Sequence, residues 1–121
     1  MISRQVFLAA LAAAALGGAS AVAAPGPSNT AVVDSDGTLA RGLNAVSATH
    51  LTTGQYEVTF EKSVSGCAYT ASIGLSGTAG ASPFGTVNVA SRGGNKKAIF
   101  VQTFDPDGNL VDLGFHVIVT C

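Results

Sequence analysis

From Thr30 onward, hydrophobic positions come in short alternating runs broken by turn residues, and no stretch keeps a helical period long enough to compete. The cleanest run is QYEVTFE, residues 55 to 61, with Tyr56, Val58 and Phe60 on one face and Gln55, Glu57, Thr59 and Glu61 on the other. Ahead of it, TAVVDSDGTLARG predicts a strand, an Asp-Gly turn and a second short strand, while NAVSATHL joins QYEVTFEK through Thr52-Thr53-Gly54 as a hairpin. Behind it, Cys67, Tyr69, Ala71 and Ile73 share a face, and TVNVASR and KAIFVQTF flank a Gly93-Gly94-Asn95 turn. FHVIVTC follows a turn at Asp105-Pro106-Asp107-Gly108, and GLSGTAGASPFG, residues 74 to 85, reads as the longest loop. About seven or eight short strands with hairpin-length connections predict an all-β fold, either an antiparallel β-sandwich or a small jelly-roll-like barrel.

The same count by twos places the two cysteines. Cys67 falls on the face of Tyr69 and Ile73, and Cys121 on the face of Phe115, Val117 and Val119, so both thiols are expected to point into the core. There is no CxxC, and the pairing is expected to be structural. A Cys67–Cys121 disulfide would close a loop of roughly 54 residues, for which chain entropy gives ~4 kcal/mol, and would pin the last strand against fraying. The chain has no tryptophan, which argues against an immunoglobulin-type domain with its tryptophan packed on the paired cysteines.

At the start of the chain, Arg4 precedes an apolar run from Val6 to Leu16 and then Ala21-Val22-Ala23. A basic residue, a short apolar run and an A-x-A site predict a secretory signal over residues 1–23. The run is broken by Gly17-Gly18 and is shorter than the roughly 20 residues of a membrane span. Residues 24–29 read as a flexible leader and 30–121 as one domain, with no transmembrane segment in the mature chain. The expected location is secreted or extracellular, or associated with the cell surface, where an oxidising compartment permits a disulfide. The whole chain has a net charge of −1; removing Arg4 with the signal leaves five cations against seven carboxylates, or −2. So weak a field offers no general attraction to nucleic acid or to an anionic membrane.

Candidate chemistry is sparse. In DPDGNLVD, Asp105, Asp107, Asn109 and Asp112 are hard oxygen donors of the kind calcium takes. Measured against an EF-hand loop, however, Gly108 comes at the fourth position and His116 stands at the twelfth, and a type I turn accounts for the same residues without an ion. No metal or cofactor is expected. His50 and His116 are the only histidines, fewer than the three protein ligands of a catalytic zinc, and are expected on solvent-facing strand positions. The Gly74-Leu75-Ser76-Gly77-Thr78 stretch does not match G-x-S-x-G, and Glu57 and Glu61 stand ~13 Å apart along one strand, beyond a glycosidase pair. An enzyme is therefore not expected; the alternative is a small secreted hydrolase using His116 and Asp112. SRGGNKK concentrates Arg92, Lys96 and Lys97 on what reads as a solvated hairpin tip, the alternative being a dock for anionic wall polymer or lipid headgroups.

One strand is apolar on both sides. In KAIFVQTF, Ile99 and Val101 share one face and Phe100 and Phe104 the other, so Phe100 and Phe104 are candidate interface residues. Ile118 and His116 would extend that patch if the last strand pairs with this one. The segments GQYEVTFEKSVSGCAYTASIG and FDPDGNLVDLGFHVIVTC resemble small exported β-rich proteins of high-GC bacteria whose functions are unassigned. The G-x-Y-x-V-x-F, V-x-x-C-x-Y and F-H-x-x-V-x-C patterns are also similar to domains that end some bacterial and phage fibre-like proteins. The resemblance covers nearly all of the mature chain and implies a structural β domain without catalytic residues. The expected function is a secreted interaction or structural module acting by surface binding or self-association, its partner an unidentified protein or envelope component, or a second copy.

Overall fold

The alternation at residues 55 to 61 becomes a central strand, because its apolar face has a matching apolar face to meet. The computed structural model describes residues 28–121; the expected signal segment, and most of the leader, lie outside the described residues. Eight strands follow in order: β1 Ser28–Val33, β2 Leu39–Leu43, β3 Ala45–Thr52, β4 Gln55–Phe60, β5 Ala68–Ile73, β6 Thr86–Ser91, β7 Ala98–Phe104 and β8 Phe115–Thr120. They form two four-stranded antiparallel sheets, ordered β2-β1-β8-β5 and β3-β4-β7-β6. The sheets pack face to face, so of the two expected architectures the molecule adopts the sandwich and not the closed barrel.

The core lies between the four central strands. Ala31 and Val33 of β1 and Phe115, Val117 and Val119 of β8 meet Tyr56, Val58 and Phe60 of β4 and Ile99 and Val101 of β7, all of them buried. At about 1.5–3 kcal/mol for each large side chain taken out of water, this double row holds the sheets together. The edge strands contribute half-buried residues such as Leu39, Ala48, Ala71, Val87 and Val89. Along edge strand β3 the register slips between Ala45 and Ser47 and again between His50 and Thr52. Such bulges twist an edge away from further strand pairing, and they turn Val46 and Leu51 out to solvent.

Alternating strand direction gives the sandwich two distinct ends. The β1–β2, β3–β4, β5–β6 and β7–β8 connections gather at one, here the loop end. The β2–β3, β4–β5 and β6–β7 connections gather at the other together with Ser28 and Cys121. Cys67 and Cys121 are joined by a disulfide at this second end, the staple end. Cys67 packs against the core, but Cys121 is exposed, because the β8 ladder ends at Thr120 and the last residue sits on the rim. Its Sγ accepts a long hydrogen bond from Asn29 Nδ2, 3.8 Å away.

One expectation about pairing is corrected. β8 pairs with β1 and β5, and β7 with β4 and β6. Ile118 and His116 therefore stand on the outer face of one sheet and Phe100 and Phe104 on the outer face of the other. The period-two pattern fixes which face a residue takes within its own sheet but carries nothing about which strands are neighbours.

Candidate functional site

The loop end is organised around a side chain that enters it from the core. Tyr56 opens β4 with its ring fully buried, edge-on to Phe115 at 5.1 Å between centroids, and its hydroxyl reaches out of the core to donate to the Ser35 carbonyl at 2.7 Å. That bond ties β4 to the β1–β2 turn. Beside it, the Asp112 carboxylate accepts from the Gly54 backbone N–H at 2.7 Å and lies 2.9 Å from His50 Nε2. One carboxylate thus joins the β3–β4 turn and the end of β3 to the β7–β8 connection. Gly54 is required there: its φ is +67°, and an added Cβ would lie 2.8 Å from the Thr103 carbonyl oxygen and 2.9 Å from the Val111 nitrogen.

Thr103, wholly buried on the inner face of β7, clips the same connection from beneath. Its hydroxyl donates to the Val111 carbonyl and accepts from the Leu113 N–H, so a polar side chain sits in the core with both its roles used. The Gly54 N–H, ahead of the neighbouring His50, holds the Asp112 carboxyl below its ordinary value. Burial, ahead of the Asp112 charge, pushes the Tyr56 phenol up to about 12.

This arrangement does not form the proposed hydrolase pair. Asp112 is bonded to His50 and Gly54, whereas His116 Nε2 lies 2.8 Å from the Leu75 carbonyl oxygen. The calcium candidates also separate in role. One Asp105 oxygen accepts from the N–H groups of Asp107 and Asn109, each at 2.9 Å, closing the turn on itself, while Asp112 belongs to the His50 contact. Among the described residues no group of three or more His, Cys, Asp and Glu side chains converges.

The long loop over residues 74 to 85 is pegged to its own sheet. Arg41 of β2 donates to the Ser76 carbonyl at 2.7 Å, and His116 of β8 holds Leu75. Between this loop, the β1–β2 turn and the β7–β8 connection runs an open groove of about 520 Å³, bordered by Asp34, Asp36, Leu75, Pro83 and Asp112. Of the seven exposed large apolar side chains among the described residues, Leu51, Leu75, Phe84 and Leu110 are on loop-end segments, and Phe84 is 89% exposed. Phe100 and Phe104 are less open. Both are half-buried, with the Arg92 guanidinium 5.8 Å above the Phe100 ring and bonded to Glu57 at 2.7 Å. Ile118, on the opposite outer face, is 51% exposed.

No family model, no curated protein and no solved structure matches this chain. The surface is therefore read from its own residues. Sequence reasoning passed over Phe84, although a large aromatic between Pro83 and Gly85 in a loop otherwise built of small residues is a visible signal. It also missed the partnership of His50 and Asp112, 62 residues apart.

Proposed function

We propose that this protein is an exported interaction module that binds a partner protein through its loop end. The observation carrying this reading is the exposure of Leu75, Phe84 and Leu110 on loop-end segments, where Leu75 and Pro83 also border a groove flanked by the Arg41, His116 and Asp112 contacts. Apolar side chains held out on pinned segments bind with little ordering cost, which is what separates an interaction site from scattered surface hydrophobes. The Cys67–Cys121 disulfide suits an oxidising, extracellular-type environment, and among the described residues no helix is long and apolar enough to cross a membrane.

The test places a photoreactive phenylalanine analogue at position 84 and, separately, at position 59 on the outer face of β4, and exposes each to the extracellular fraction of the source cells. Discrete adducts at 84 that are absent at 59, and that fade when Leu75 and Leu110 are changed to Asp, are the expected result. Equal adduct yields at the two positions would remove the loop end as the binding surface.

A further inference from the structure

Charge in this molecule is sorted along the strand axis. Five of the seven carboxylates, Asp34, Asp36, Asp105, Asp107 and Asp112, are on the β1–β2 and β7–β8 connections at the loop end. Lys62, Arg92, Lys96 and Lys97 are on the β4–β5 and β6–β7 connections at the staple end. Two carboxylates offset them: Glu57, taken up by Arg92, and Glu61. Arg41 is the one Lys or Arg among the described residues that reaches the loop end, where it bonds the Ser76 carbonyl.

Within one copy these two sets cannot meet. A strand of six residues spans ~20 Å, twice the Debye length of about 8–10 Å at ordinary ionic strength. Among the described residues the ion pairs are His50–Asp112 and Arg92–Glu57. Among the described residues Lys62, Lys96 and Lys97 form no ion pair at one end, and Asp34, Asp36, Asp105 and Asp107 form none at the other. The staple end also offers a receiving shape. A cleft of about 260 Å³ lies between the β4–β5 connection and the β6–β7 turn, with Tyr69, Arg92, Asn95 and Lys96 among its walls.

Resting on the loop end as the binding surface, we propose that its partner is a second copy of this chain: the acidic loop end of one copy docks on the lysine-bearing staple end of the next. The two surfaces differ, so the contact is head-to-tail and does not close on itself, giving linear chains whose length grows with concentration. Opposite charges brought within contact distance are satisfied between copies as they cannot be within one, and salt screens that attraction.

The experiment is sedimentation velocity on the oxidised protein from about 20 mM to about 500 mM salt. Mass rising with protein concentration at low salt and returning to monomer at high salt is expected. Two variants sharpen it. Lys96→Glu with Lys97→Glu makes both ends acidic; Asp34→Lys with Asp107→Lys cancels the net negative charge of the loop end while the staple end stays basic, at carboxylates that hold no side-chain hydrogen bond among the described residues. Each variant alone is expected to stay monomeric, and an equimolar mixture to associate again, with circular dichroism confirming that both are folded. A wild-type monomer at low salt, or a mixture that stays monomeric, overturns the proposal. Crosslinking at position 84 to a different protein, with no self-association, would retain the loop end as a binding surface while removing the second copy as its occupant.

Discussion

The two ends of the sandwich are closed by different chemistry. The staple end is held by one covalent bond, Cys67–Cys121, which ties the start of β5 to the end of β8. The loop end has no covalent tie among the described residues. Tyr56, His50, Asp112, Gly54 and Thr103 knit three connections together by hydrogen bonds. A covalent clamp can hold a strand end that runs past its last ladder pair, as Cys121 does beyond Thr120. A hydrogen-bond knot, sharing one carboxylate among several donors, can fix segments that must also leave their side chains exposed. The first end should respond to reductant and the second to acid and to single substitutions.

The largest effect should come from the clamp. Reduction, or Cys67→Ser with Cys121→Ser, is expected to lower unfolding free energy in urea by up to ~4 kcal/mol, with the staple end losing amide-exchange protection first. Uniform loss of protection across both ends would contradict the division. Next comes the knot: Asp112→Ala strands the Gly54 N–H and should cost about 1–3 kcal/mol, with exchange rising at the β3–β4 turn while the staple end is unchanged. Tyr56→Phe removes the donor to Ser35 and the longer 3.5 Å contact to Asp112, and should cost about 1 kcal/mol. Away from both ends, Glu57→Gln breaks a half-exposed ion pair and should cost about 0.2–1 kcal/mol; a larger loss would mean that Arg92 depends on Glu57 to stay over Phe100.

Acid and alkali give the finest separation. Asp112 has a folded value below its ordinary 3.8. Its contribution is therefore fully present above the ordinary carboxylate range and is lost as pH falls through the lowered folded value. Tyr56 runs the other way: its phenol is raised from 10.0 to about 12, so the stability it lends is complete below 10.0 and is lost as pH rises through about 12. In a Tyr69→Phe background, ultraviolet titration should show this late ionisation, and Asp112→Asn should bring it earlier. A phenol titrating near 10.0 in both proteins would break the link between Tyr56 and Asp112.

Much of the fold was legible because a sandwich strand advertises its inward face at every second residue. Tyr56-Val58-Phe60 and Phe115-Val117-Val119 did so without interruption, and the same parity paired Cys67 with Cys121. Neighbourhood was not legible. Ile118 and Phe100 each lie on outward faces as their patterns require, yet they belong to different sheets, because strand order depends on connections that pass over the ends. The knot was hidden for a related reason. Asp112 reads as one more carboxylate of an acidic turn, and only the convergence of β3 with the β7–β8 connection gives it His50 as a neighbour. Counting strand directions would have put both residues at the same end but could not have brought them into contact.

The antiparallel pairing of Ser28 with Thr120 has a mechanical side. A pull between residues 28 and 121 would peel β1 from β8 from that end, breaking ladder bonds one at a time. A load between the β3–β4 turn and the staple end would run along the strands, across hydrogen bonds that lie perpendicular to them, and would strain many at once. Single-molecule extension with handles at 28 and 121, compared with 53 and 121, should give the lower rupture force for the first pair. A molecule built this way is weak as a tether between residues 28 and 121 and strong when loaded between its two ends.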